Sequence, residues 1–221
     1  MSKNLGPVHY MMYEKIKFQD KITNFLLDGN TEAIDKEFSP VSTKPLEDLI
    51  DQDNIHGWLS ARIDQVENRL AKAMALSANP REKMYELGKL EGKDEDLSDL
   101  KLVFDKLNQR MLDGMPCDRA LRAGIDEEGN LLLITDNNLH DKYQKEAIDP
   151  QSSLDDTCKG GHDHDHHESF EVGKVSGENL KNENSTYHDL RLAFIEGFLE
   201  DSPYEVELVN GINYKIKERE N

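Results

Sequence analysis

The chain has 221 residues, of which 36% are hydrophobic and 33% charged, and a formal net charge of −18. That length is enough for one decorated domain or two small ones with a real core, and the high charge predicts a folded body carrying some solvated length. The negative balance argues against sequence-independent binding to nucleic acid or anionic membrane, which needs a basic footprint, and suits attraction of cations or of a basic partner.

The first half reads as helices. Pro7 suits a first helical position, and Val8, Met11, Met12, Ile16, Gln19, Ile22, Phe25 and Leu26 recur at three-to-four spacing until Gly29. A linker is expected up to Pro45. Leu46, Leu49, Ile50, Ile55, Leu59, Ile63, Val66, Leu70 and Met74 then trace a long apolar stripe, with an interruption near 51–54. Asn79-Pro80-Arg81-Glu82 combines a capping side chain, a first-position proline and an acidic third position, so a new helix starts there. Gly88 and Gly92 are expected to weaken or end it. Leu97, Leu100, Phe104, Leu107 and Met111 form a fourth stripe that stops at Gly114 and Pro116. Each stripe is too apolar to face water alone, so the helices should pack as a bundle.

The pattern changes after Cys117. Residues 121–125 and 131–135 flank Asp126-Glu-Glu-Gly-Asn130 and read as two short strands joined by a five-residue turn. A short helix is expected over 138–148, ending before Pro150. From 150 to 185 apolar residues are sparse, and burial cannot offset the ordering entropy, which predicts a disordered insertion. Order should resume at Thr186, a candidate N-cap, with Tyr187, Leu190, Phe194 and Phe198 on one helical face. At the C-terminus Tyr204, Val206 and Leu208 alternate with Glu205 and Glu207, and Ile212, Tyr214 and Ile216 with Asn213, Lys215 and Lys217. A two-residue Asn210-Gly211 turn would mix polar and apolar residues on each face. A three-residue loop, Val209-Asn210-Gly211, instead pairs Leu208 with Ile212, Val206 with Tyr214 and Tyr204 with Ile216, with Gly211 left-handed.

The insertion holds the most distinctive motif, Cys158-Lys-Gly-Gly-His162-Asp163-His164-Asp165-His166-His167-Glu168. Four of the eight histidines fall within six residues, alternating with carboxylates. Neutral imidazole is the commonest protein ligand for late divalent metals, and neighbouring carboxylates add charge and orient the rings. Extended, His162, His164 and His166 share one side and Asp163, Asp165 and His167 the other. In a helix, His162/His166 and Asp163/His167 become i, i+4 pairs. Either way two or three nitrogens converge on one ion, with Cys158 or Glu168 as a further ligand, and zinc, nickel or copper fits such a set. The tract resembles the His/Asp-rich loops of zinc-uptake binding proteins, zinc transporters and nickel-insertion GTPases. The resemblance covers about ten residues and is one of composition. The chain lacks the phosphate-binding loop, the membrane spans and the export signal of those proteins.

A second constellation lies on the helices. His9, His56 and His188 each sit on a different one; His56 with Glu67, and His188 with Glu196, are close in angle, so a shared site in the bundle is a further candidate. Cys117, where helix gives way to strand, is a candidate thiolate or ligand, though a free cysteine is more often simply buried. Trp58 reads as core. Only two cysteines occur, with no Cys-x-x-Cys and no disulfide framework, and nucleotide-binding and hydrolase motifs are absent. With no hydrophobic signal core and no apolar run of membrane-spanning length, a soluble cytoplasmic protein is expected.

The reading is an α+β protein: a helical bundle over 1–115, a hairpin plus short helix over 116–149, the insertion over 150–185, and a helix plus C-terminal β-hairpin over 186–221. The two hairpins should join into one antiparallel sheet, since an isolated hairpin is marginal in water. The leading expectation for function is a non-catalytic cytoplasmic protein that handles zinc or nickel through the tract. The alternatives are an acidic interaction or assembly protein (with a protein partner or self-association) in which the tract is incidental, and an enzyme using a His/Glu/Cys site between helices.

Overall fold

The computed structural model describes residues 5–118, 121–135, 139–148 and 186–220, without the side chains of Cys117 and of 146–148. In chain order the helices are α1 (Pro7–Leu26), α2 (Glu32–Asp35), α3 (Ile55–Leu76), α4 (Pro80–Gly92), α5 (Leu100–Asn108), α6 (His140–Ile148) and α7 (Thr186–Phe198). The strands are β1 (Leu121–Ile125), β2 (Leu131–Thr135), β3 (Tyr204–Val209) and β4 (Asn213–Glu218). The expected α+β class, helices first and sheet after, is what the chain adopts.

Local chemistry sets most boundaries. Pro7 opens α1 behind an extended Gly6, and the helix buries Met12, Tyr13, Ile16, Gln19, Ile22 and Leu26 before Gly29 turns away at φ +79°. The interruption expected near 51–54 is the start of α3, where the Asn54 side chain accepts the Gly57 N–H. Asn79, by contrast, precedes α4 without a side-chain capping bond. The linker before Pro45 is not featureless. It contains α2, fixed by the buried Arg69, whose Nε donates to Asp20 (2.6 Å) and Nη1 to Asp35 (2.7 Å) and to the Phe38 carbonyl.

The hairpins join as expected, in the order β1-β2-β4-β3 with every neighbour antiparallel. The C-terminal register differs by two residues from the expected one. Leu208 faces Tyr214 and Val206 faces Ile216, so the loop is Asn210-Gly211-Ile212. A shift of two keeps every side chain on its face, so apolar alternation could not separate the registers. The third strand decides. On β2, Thr135 N–H donates to the Asn213 side chain (2.8 Å) and Thr135 Oγ1 to the Ile212 carbonyl (2.9 Å). Gly211 is left-handed at φ +75°, as expected, and Asn210 also takes positive φ.

α7 packs against α4 and completes the bundle with α1 and α3. The approach is close because Gly88, Gly92 and Gly197 line it. A Cβ on Gly88 would lie 2.0 Å from the Phe194 carbonyl oxygen, and one on Gly197 2.0 Å from that of Tyr85. Gly88 lies inside α4 without ending it and admits the α7 backbone; Gly92 ends the helix. One apolar cluster fills the space between this bundle and the sheet, from Ile22 and Leu70 to Tyr214 and Ile216. A second, around Ile16, Leu59 and Val66, closes the other end against Leu46 and Ile50, with Trp58 packed on it.

Candidate functional site

The two apolar clusters part at the same level along α1 and α3. Ile16 and Val66 belong to one, Ile22 and Leu70 to the other, and between them stand Gln19 and Glu67. A buried carboxylate in an apolar stripe requires partners. Gln19 Nε2 donates to Glu67 Oε1 at 2.8 Å, and His140, at the start of α6, brings Nδ1 to Glu67 Oε2 at 2.9 Å. The other ring nitrogen of His140 faces Asp113 Oδ1 at 3.5 Å, an ionic approach longer than a hydrogen bond. Asp113 follows α5 on a turn made by Gly114 (φ +72°), held where Met115 N–H donates to Asp118. Its two oxygens take both terminal nitrogens of Arg191 on α7, at 2.7 and 2.6 Å. Tyr187, one turn earlier, lays its ring flat on His140, with centroids 3.6 Å apart. Next to it His188 Nδ1 hydrogen-bonds the Tyr214 hydroxyl of β4 at 2.8 Å.

The result is a closed layer of two cations and two anions, with His140 2% and Arg191 4% exposed. Burial alone would push the His140 imidazole down. The Glu67 charge and the Asp113 contact outweigh it and lift the ring to about 9. Burial likewise opposes the Asp113 carboxylate, but Arg191 and then His140 hold it far below the usual carboxylate range. His188 goes the other way: burial first, then the charges of Arg191 and His140, depress it to about 3. Two adjacent histidines thus carry opposite states at neutral pH, His140 charged and His188 neutral.

This layer meets, through Gln19, Tyr187 and Arg191, a crevice lined mostly by apolar side chains such as Phe18, Ile22, Met74 and Phe194, with Arg110 also on its wall. It has room for about 30 Å³, enough for a water molecule and too small for a substrate. A charged imidazole held between carboxylates is no general base at neutral pH. The arrangement suits holding elements in place.

The histidine candidates on the helices separate. His9 accepts the Gly6 N–H on Nδ1 at 2.9 Å, a cap on α1 that occupies the lone pair a metal would need. His56 is exposed at the surface, its ring 5.7 Å from that of His9, while Glu67 on the same helix is buried with His140. His188 belongs to the central layer, and Glu196 instead receives Arg81 at 2.9 Å. The helices do bring a His/Glu set together, but it is His140 with Glu67 and Asp113. Among the described residues no group of three or more His, Cys, Asp or Glu is arranged to hold a metal ion. Cys117 lies on a 3₁₀ turn, Pro116–Asp118, and its side chain is outside the described set. Cys158, His162, Asp163, His164, Asp165, His166, His167 and Glu168 all lie outside the described residues. Among those described, no helix is long and apolar enough to cross a membrane.

Comparison of the chain with protein-family models, with curated proteins and with solved structures gave no match.

Proposed function

We propose that this chain is a non-catalytic divalent-metal-binding protein that handles zinc or nickel through the 158–168 tract. The observation that carries the reading is the density of ligands there: four imidazoles, three carboxylates and a thiol within eleven residues. The folded body supports it as a mount. Gln144 on α6 accepts the Tyr187 N–H of α7 at 3.1 Å, and His140 stacks on the same tyrosine. The helices on either side of 149–185 are therefore fastened to each other about one turn from where that segment departs. An ion captured between them in sequence leaves the packing of the bundle undisturbed. The net charge of −18 adds a field that attracts cations. The proposed setting is the cytoplasm, in keeping with two cysteines and no disulfide framework.

Titration of zinc and of nickel into the untagged chain and into a 158–168 deletion tests this. The full chain takes up metal at pH 7.5 and loses it at pH 5.5, because the imidazoles protonate below about 6.5. The deletion takes up none at either pH. Equal uptake by both chains would overturn the proposal in favour of a site in the body. Negligible uptake by both would favour an acidic interaction protein.

A further inference from the structure

α6 is held differently from every other long helix. None of its described side chains belongs to either apolar cluster. Its grip is polar: His140 on Glu67 and Asp113, the Tyr143 hydroxyl donating to Asp64, Lys142 3.7 Å from Asp64, and Gln144 accepting from Tyr187 N–H. Of its described side chains only His140 and Tyr143 are buried. Leu139, just before the helix, rests at the Gly114 turn, where a Cβ would come within 2.5 Å of its Cδ1.

Both carboxylates of the seat have partners outside α6. Glu67 keeps Gln19 at 2.8 Å, and Asp113 keeps both nitrogens of Arg191. A buried carboxylate that loses its only partner forces the structure around it to rearrange. Here Asp113 keeps its counterion and Glu67 keeps the Gln19 amide on Oε1, so departure of the helix frees only Glu67 Oε2, on the side that the helix uncovers to water. Among the described residues neither apolar cluster includes an α6 side chain, and the helix meets the body mainly along α3 and, more lightly, along α7.

We propose that α6 is a detachable latch: it docks on a preformed acidic seat, Glu67 and Asp113, by the grip of His140, and leaves it while the rest of the fold stays intact. The groups that face His140 are Glu67 from α3, Asp113 from the turn after α5, and Tyr187, His188 and Arg191 from α7, with Tyr214 of β4 behind His188. Two carboxylates against one nearby guanidinium favour the imidazolium, and the latch is closed when that charge is present. The inference is independent of metal binding by 158–168.

Hydrogen exchange followed by mass spectrometry on the full chain tests it. In the wild type, amides of 141–148 exchange by a local opening that low denaturant does not accelerate, while those of α3, α4 and α7 exchange only through global unfolding. His140→Gln raises exchange over 141–148 about tenfold or more, the scale of one lost charge-assisted hydrogen bond, and leaves α4 and α7 unchanged. Raising the pH through about 9, after correction for intrinsic rates, reproduces that effect in the wild type. Exchange of α6 in step with α3 and α7 in the wild type would overturn the proposal, and so would a His140→Gln variant in which every helix loses protection alike.

Discussion

Asp113 and Arg191, 78 residues apart in sequence, meet as a bidentate ion pair at 2.7 and 2.6 Å inside the protein. The pair ties the turn after α5 to α7, and so joins the first half of the chain to the part that follows 149–185. The Arg191 guanidinium also lies over the rings of Tyr187 and Tyr214, at 5.5 and 5.9 Å from their centroids. Its removal therefore takes away packing as well as charge.

Breaking this pair from one side leaves a buried charge without its counterion. Arg191→Met is expected to destabilise the protein by about 3–5 kcal/mol, and Asp113→Asn by a similar amount. Urea unfolding followed by circular dichroism measures both, and a loss below about 1 kcal/mol for either would show the pair to be dispensable.

Stability should peak near neutral pH because the two central histidines pull in opposite directions. His140, raised to about 9 from 6.5, contributes stability that is fully present below pH 6.5 and is lost as pH rises through 9. His188, depressed to about 3, contributes stability that is present above pH 6.5 and is lost as pH falls toward 3, since the unfolded chain protonates first. Thermal unfolding between pH 4 and 10 should trace a maximum near 6.5. In His140→Gln the alkaline limb flattens and the acid limb stays. A variant that keeps the full alkaline decline would place its source elsewhere.

Gly88→Ala and Gly197→Ala force a methyl into backbone at about 2.0 Å and should each cost about 3 kcal/mol or more, by prising α4 from α7. Gly124→Ala on β1 meets nothing within 4 Å and should be neutral or stabilising by up to about 1 kcal/mol. Denaturant midpoints for the three variants give the comparison.

Thr135→Val removes the donor that fixes the Ile212 carbonyl and with it one clamp on the β4 register. The expected loss is about 1 kcal/mol, and amide exchange should rise at Asn213 and Tyr214 before the other strands. Unaltered exchange there would mean that Asn213, through its bond to Thr135 N–H, sets the register alone.

Periodicity and capping signals locate α1, α3, α4, α5 and α7 and both hairpins, because each has a clear apolar face or start signal, and the marginality of an isolated hairpin predicts that the two join. Periodicity failed where the deciding contact comes from afar. The C-terminal register hangs on Thr135, and the role of Gly88 on the α7 backbone. The central layer left a signal that went unread. Glu67 sits at a core position of the stripe Ile63, Val66, Leu70, and Arg191 lies among Tyr187, Leu190 and Phe194 on a helix apolar nearly all round, so each had to be buried and paired. His140 left none: its partners are 73 residues away on α3 and on a turn before β1, and no local spacing connects them.

The measurement that bears most directly on the metal-handling claim is the metal content of untagged chain, purified without affinity metal, by elemental mass spectrometry beside the 158–168 deletion. Zinc or nickel that copurifies with the full chain and is absent from the deletion is the predicted result. An ion retained in equal amount by the deletion would contradict the claim and move the site into the folded body.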